Sequence, residues 1–87
     1  MRVFVVVATG NAPKVLAAIQ AKNYAYYTVK SDVWLVAFDG TTRELAESTG
    51  IRSGESGPGL TCLITGYSGR LPKEAWEWLG VHEVRSE

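Results

Sequence analysis

A chain of 87 residues with 46% hydrophobic content makes one domain over residues 1–87, with a packed core and no disorder. At this length roughly 60–65% of the unfolded surface is buried on folding, so the stability margin is thin. Nine basic and nine acidic residues cancel, which removes the overall basic excess usual in nucleic-acid binders.

The first element is "VFVVVA" (Val3–Ala8), a continuous β-branched run that reads as a central strand. Six apolar residues are too few for a membrane span or a secretory leader, so a soluble, cytoplasmic protein is expected. "TGN" breaks the strand, Asn11 caps a helix, and Pro13 fits the first turn, where its missing N–H costs nothing. Ala12, Val15, Leu16 and Ile19 fall on one helical face. "YAYYTVKSDVWLVAF" then reads as two strands joined by a tight turn at Lys30–Asp32.

Thr41 and Glu44 have the spacing of a capping box, which predicts a second helix, and Gly50 before Ile51 supplies a left-handed stop. Residues 49–63, "TGIRSGESGPGLTCL", carry four glycines, one proline and two serines, more loop than the connection needs. A ligand cradle, a mobile lid and slack are all compatible with that composition. "LTCLITGY" reads as a fourth strand, with Cys62 expected buried because free cysteines are mostly buried. "LPKEAWEWLG" reads as a short helix from Pro72 to Gly80, and "VHEV" as a fifth short strand.

The order β-α-β-β-α-β places the chain in the α+β class, as a ferredoxin-like sandwich with both long helices on one sheet face. About half of Tyr24, Tyr26, Tyr27 and Trp34 would then point to the open face. An aromatic face of that size is expected to be covered by a partner sheet, so a homo-oligomer is anticipated.

This layout resembles the SinR-like proteins, small relatives of the CRISPR adaptation nuclease. "DVWLV" (Asp32–Val36), "TTREL" (Thr41–Leu45) and "AWEWL" with its Trp78–Leu79 ending carry the likeness. The resemblance implies a homodimer with sheets face to face and a C-terminal strand added to the partner. The nuclease branch holds a divalent metal on an aspartate at the end of strand one. Here "VVVATGN" offers Ala8, Thr9 and Asn11 and no carboxylate, which argues against a nuclease site.

No residue set reads as catalytic. His82 stands alone near Glu77 and Glu83, and Ser68 in "GYSGR" lacks the last glycine of a nucleophile elbow. Asp32 and Asp39 flank one strand at opposite ends, and Glu44 and Glu47 read as a solvated helix face. One cysteine and one histidine exclude an internal disulfide and a zinc site, and no cofactor or metal is expected. Trp76 and Trp78, two apart, cannot share a helix face, so one should pack on the body and the other meet a subunit or ligand.

The remaining candidates bind anions. Thr9, Asn11 and Lys14 stand at a helix start, where free N–H groups and the dipole favour a phosphate. Arg52, Ser53, Ser56 and Gly57 in the glycine-rich stretch could wrap one, and Tyr67 with Arg70 offers stacking and charge. The expectation is a non-enzymatic homo-oligomer holding a nucleotide-like ligand or nucleic acid; the alternatives are a divergent metal-dependent nuclease of the resembled type, recruiting Asp39 or glutamates, and a purely structural assembly subunit. On the resemblance, one form of that function is sequestration of a nucleotide signal in conflict between phage and bacterium.

Overall fold

The computed structural model describes residues 2–82. Its elements are β1 (Arg2–Ala8), α1 (Ala12–Ala21), β2 (Tyr26–Lys30), β3 (Val33–Phe38), α2 (Thr42–Ser48), β4 (Gly59–Leu63) and α3 (Lys73–Val81). They make an α+β fold in which the four strands form one sheet in the order β2-β3-β1-β4, every neighbouring pair antiparallel.

Alternation along β1 and β3 feeds two cores on opposite sheet faces. Phe4, Val6, Ala8, Trp34 and Val36 pack with Val15 and Ile19 of α1 and Leu45 of α2, all nearly or wholly buried. Burying each large apolar side chain contributes about 1.5–3 kcal/mol, so this layer carries most of the hydrophobic stabilisation. Val3 and Leu35 point the other way, onto Leu79 of α3.

Local chemistry sets the helix ends as the sequence predicts. Asn11 Oδ1 accepts the Lys14 N–H at 3.2 Å, and proline occupies the first turn of α1. At α2 the capping box is complete: Glu44 N–H donates to Thr41 Oγ1 at 3.1 Å, and Thr41 N–H donates to Glu44 Oε1 at 3.0 Å. Thr41→Ala is therefore expected to cost about 1 kcal/mol in urea unfolding, with no change in the sheet's circular dichroism.

Three expectations are corrected. The second sheet face is not bare, because α3 lies across it and seals Leu79 at 2% exposure and Ala75 at 0%. Tyr24 lies just before β2 and not on it; Tyr24, Tyr26 and Trp34 turn toward α1 and α2, and of these four aromatics Tyr27 alone turns toward α3. Secondly, α3 runs through Gly80 to Val81 with His82 as its cap. "VHEV" thus begins as the end of a helix, and its remaining Glu83 and Val84 lie outside the described residues. Thirdly, Cys62 is exposed. It sits on β4, which among the described residues is an edge strand paired with β1 alone.

Both tryptophans of α3 are half-buried, for one geometric reason. Ala75 and Leu79, four apart, define the buried stripe, and at about 100° per residue Trp76 and Trp78 fall on its two flanks. Trp76 stacks on Tyr67, with centroids 5.2 Å apart and planes 12° from parallel. Trp78 stacks on the His82 ring at 4.0 Å, and His82 Nδ1 lies 2.8 Å from the Trp78 carbonyl oxygen.

Candidate functional site

The anion-binding candidates separate into three places. The first is where the β1–α1 turn meets the glycine-rich loop. Gly50, at φ +80°, ends α2, and the N–H groups of Ile51 and Arg52 both donate to the Ala46 carbonyl at 3.1 and 3.0 Å. The chain then folds back: Ser56 N–H donates to Gly50 O at 2.9 Å, and Ser56 Oγ donates to Thr49 O at 2.7 Å. Thr49 and Ser56 are buried, at 1% and 3% exposure.

That folded loop docks on the start of α1. Thr9 N–H donates to Pro58 O at 3.0 Å, and Lys14 Nζ donates to Glu55 O at 2.9 Å. Gly57 and Gly10 permit the approach. A Cβ on Gly57 would lie 3.3 Å from the Asn11 nitrogen, and one on Gly10 would strike the Pro58 ring. Thr9, Asn11, Lys14, Ser56 and Gly57, separate candidates in the sequence, are thus brought together. The Thr9, Ser56 and Gly57 N–H groups, Asn11 Oδ1, Lys14 Nζ and Ser56 Oγ are engaged with one another and with loop carbonyls. Ser53 Oγ completes the turn, accepting the Glu55 N–H at 3.2 Å. The loop is a folded strut between α2, α1 and β4.

Arg52 points elsewhere. Its Nε lies 3.5 Å from Glu47 Oε1, which Arg43 also approaches at 3.4 Å, on the exposed flank of α2. Exposed pairs of this kind contribute little to stability, about 0–1 kcal/mol. Beside them a shallow groove separates α2 from β4.

Tyr67 and Arg70 lie on the opposite sheet face. The segment leaving β4 passes under α3, and Ile64 N–H donates to Val3 O at 2.9 Å. With α3 it encloses a cleft of about 400 Å³. Val5, Leu35 and Leu79 form the apolar floor, the stacked Tyr67 and Trp76 form an aromatic wall, and Ser68 and Arg70 stand at the rim. Small-molecule sites have this make-up: a mostly apolar hollow with a few polar groups that fix orientation.

Sequence reasoning found Tyr67 and Arg70, and it left open which of Trp76 and Trp78 meets a ligand; both are half-buried, and Trp76 is the one that lines the cleft. The signal was present in the spacing, because the Leu71–Pro72 turn is too short to let α3 travel far from Tyr67. Among the described residues no three His, Cys, Asp or Glu side chains lie close enough to hold a metal ion. His82 meets Trp78 and not a carboxylate among those residues. No helix among them is long and apolar enough to cross a membrane. Comparison with family models, curated proteins and solved structures finds no match.

Proposed function

We propose that the chain is a non-enzymatic binding module whose ligand is a planar, anionic, nucleotide-like molecule held in the Tyr67–Trp76 cleft. The observation that carries this reading is the combination in one hollow of an aromatic stack, an apolar floor and Arg70. A heteroaromatic ring gains from stacking on such a wall by about 1–3 kcal/mol, and a guanidinium suits phosphate by bidentate hydrogen bonding.

The ferredoxin-like arrangement belongs to the same proposal. Its support is the order β2-β3-β1-β4 with α1 and α2 over one face, the outcome of two split β-α-β units. Kinship with the SinR-like proteins is proposed on the motifs given above. Stacking of two sheets face to face loses its motive, since α3 occupies much of the face concerned.

The test is a titration with 5′-nucleoside monophosphates, read by tryptophan fluorescence and calorimetry. Saturable binding is expected, weakened at least tenfold by Trp76→Ala. Arg70→Ala should weaken the monophosphate by about 10–100-fold, the worth of a charge-assisted bond, and leave the parent nucleoside unaffected. Lys14→Ala and Arg52→Ala should change nothing. Absence of saturation at millimolar nucleotide, or dependence on Lys14 in place of Arg70, would reject the cleft as the site.

A further inference from the structure

The two edges of the sheet are built differently. β2 is irregular, with a register shift between Thr28 and Lys30, and it ends on a lysine. Both devices discourage another strand from joining. β4 is Gly-Leu-Thr-Cys-Leu, uncharged and in unbroken register with β1.

Bonding along the β1–β4 ladder fixes what β4 presents outward. Ile64 N–H bonds to Val3 O, and Thr9 N–H to Pro58 O. Antiparallel alternation then places the bonded pairs at Val5–Cys62 and Val7–Leu60. The N–H and C=O groups of Gly59, Thr61 and Leu63 therefore face away from β1, and among the described residues no strand pairs with them. Those positions are symmetric about Thr61.

We propose that a second copy of this chain pairs its β4 antiparallel to this one, about a two-fold axis at Thr61, making one continuous eight-stranded sheet. This register sets Thr61 against the partner's Thr61 and Gly59 against the partner's Leu63. It uses all three outward residues of each β4 and forms six backbone hydrogen bonds. The same patch meets itself, as a closed two-fold dimer requires.

The side chains are complementary in the same register. Gly59 has no side chain, and beside it opens the groove of about 480 Å³ lined by Ala46, Ile51 and Thr61, with Arg43 and Arg52 at its rim. The partner's Leu63 sits opposite Gly59, at the mouth of this groove, and Leu63 is 37% exposed in the single chain. On the other face Leu60, 57% exposed, lies opposite the partner's Cys62, whose thiol is exposed. Three exposures that are otherwise unexplained are thus covered together. A seam of five residues falls short of the roughly 800 Å² per partner of stable complexes, so the dimer is weak and concentration-dependent.

Sedimentation velocity from micromolar to millimolar protein should show a monomer–dimer equilibrium. Thr61→Pro removes an outward N–H without touching the β1 ladder. It should abolish the dimer while circular dichroism stays unchanged. In a Cys62→Ser background, Thr61→Cys should cross-link under mild oxidation. Opposed residues of a bonded antiparallel pair have Cα atoms about 5.5 Å apart, within disulfide reach. Leu63→Cys in that background should not cross-link, since it faces the partner's Gly59. A chain that stays monomeric and leaves Thr61→Cys uncross-linked overturns the proposal. So does a dimer that survives Thr61→Pro, or equal cross-linking at both positions.

Discussion

Trp34→Ala is expected to cost about 3–5 kcal/mol, the range for truncating a large buried aromatic, and so to leave much of this small domain unfolded at room temperature. Trp34 is 1% exposed and stands in the middle of the sheet, between Phe4, Val36 and the helices above. Its replacement by phenylalanine should behave otherwise. The indole Nε1 is buried and has no hydrogen-bond partner among the described residues, and an unsatisfied donor of this kind costs about 1–3 kcal/mol of desolvation. Trp34→Phe removes that donor along with some ring area, so a loss of no more than about 1–2 kcal/mol is expected. Urea denaturation of the two variants decides the matter. Equal destabilisation would mean that the indole N–H is bonded in solution.

Gly50→Ala is the second large effect, expected at about 2–4 kcal/mol. Two causes act together. At φ +80° any L-residue is strained by about 1–2 kcal/mol, and the added Cβ would fall on Ser56 Oγ, which Thr49 O holds in place. Gly54 separates the causes, because its φ is +84° with no atom of the described residues within 4 Å of an added Cβ. Gly54→Ala should therefore show the backbone strain alone. A gap of at least about 1 kcal/mol between the variants in urea unfolding is the expected result. Equal losses would show that Ser56 yields, and that the loop is softer than its hydrogen bonds imply.

Much of the fold was legible, and the reasons are local. Asn11, Pro13, Thr41, Glu44 and Gly50 each act on backbone groups within four residues, so their spacing alone announces a helix end. The turn between β2 and β3 is equally local. The face chosen by α3 was not legible. Ala75 and Leu79 mark a buried stripe, but its target lies on β1 and β3, far away in the sequence. Cys62 misled for a related reason. An apolar run looks the same in a central strand and at an edge, and only the sheet order separates them.

The candidate site was half legible. Composition singled out residues 49–63 and, separately, the turn at Thr9–Asn11, and the docking of one on the other came only from the fold. Glycine content reports the freedom of an isolated segment, and it is silent on the carbonyls that would use up its donors. The Glu55 carbonyl that receives the Lys14 amine could not be found by counting residue types. The chemistry of Tyr67 and Arg70 is visible in the sequence, whereas the wall that Tyr67 forms with Trp76, and the cleft beside Arg70, come from the return of α3.

The position of β1 has a consequence for how the chain reaches this state. Val5 lies opposite Leu35, 30 positions on, and opposite Cys62, 57 positions on. Loop-closure entropy makes the longer connection the slower to form. During synthesis and refolding, the valine-rich "RVFVVVA" therefore has one side sealed by β3 while the other waits for the last strand. Uncharged after Arg2 and rich in β-branched residues, it is then the segment of this chain most prone to misassemble with its own kind. The interval before β4 arrives is therefore the window in which this segment is exposed to aggregation.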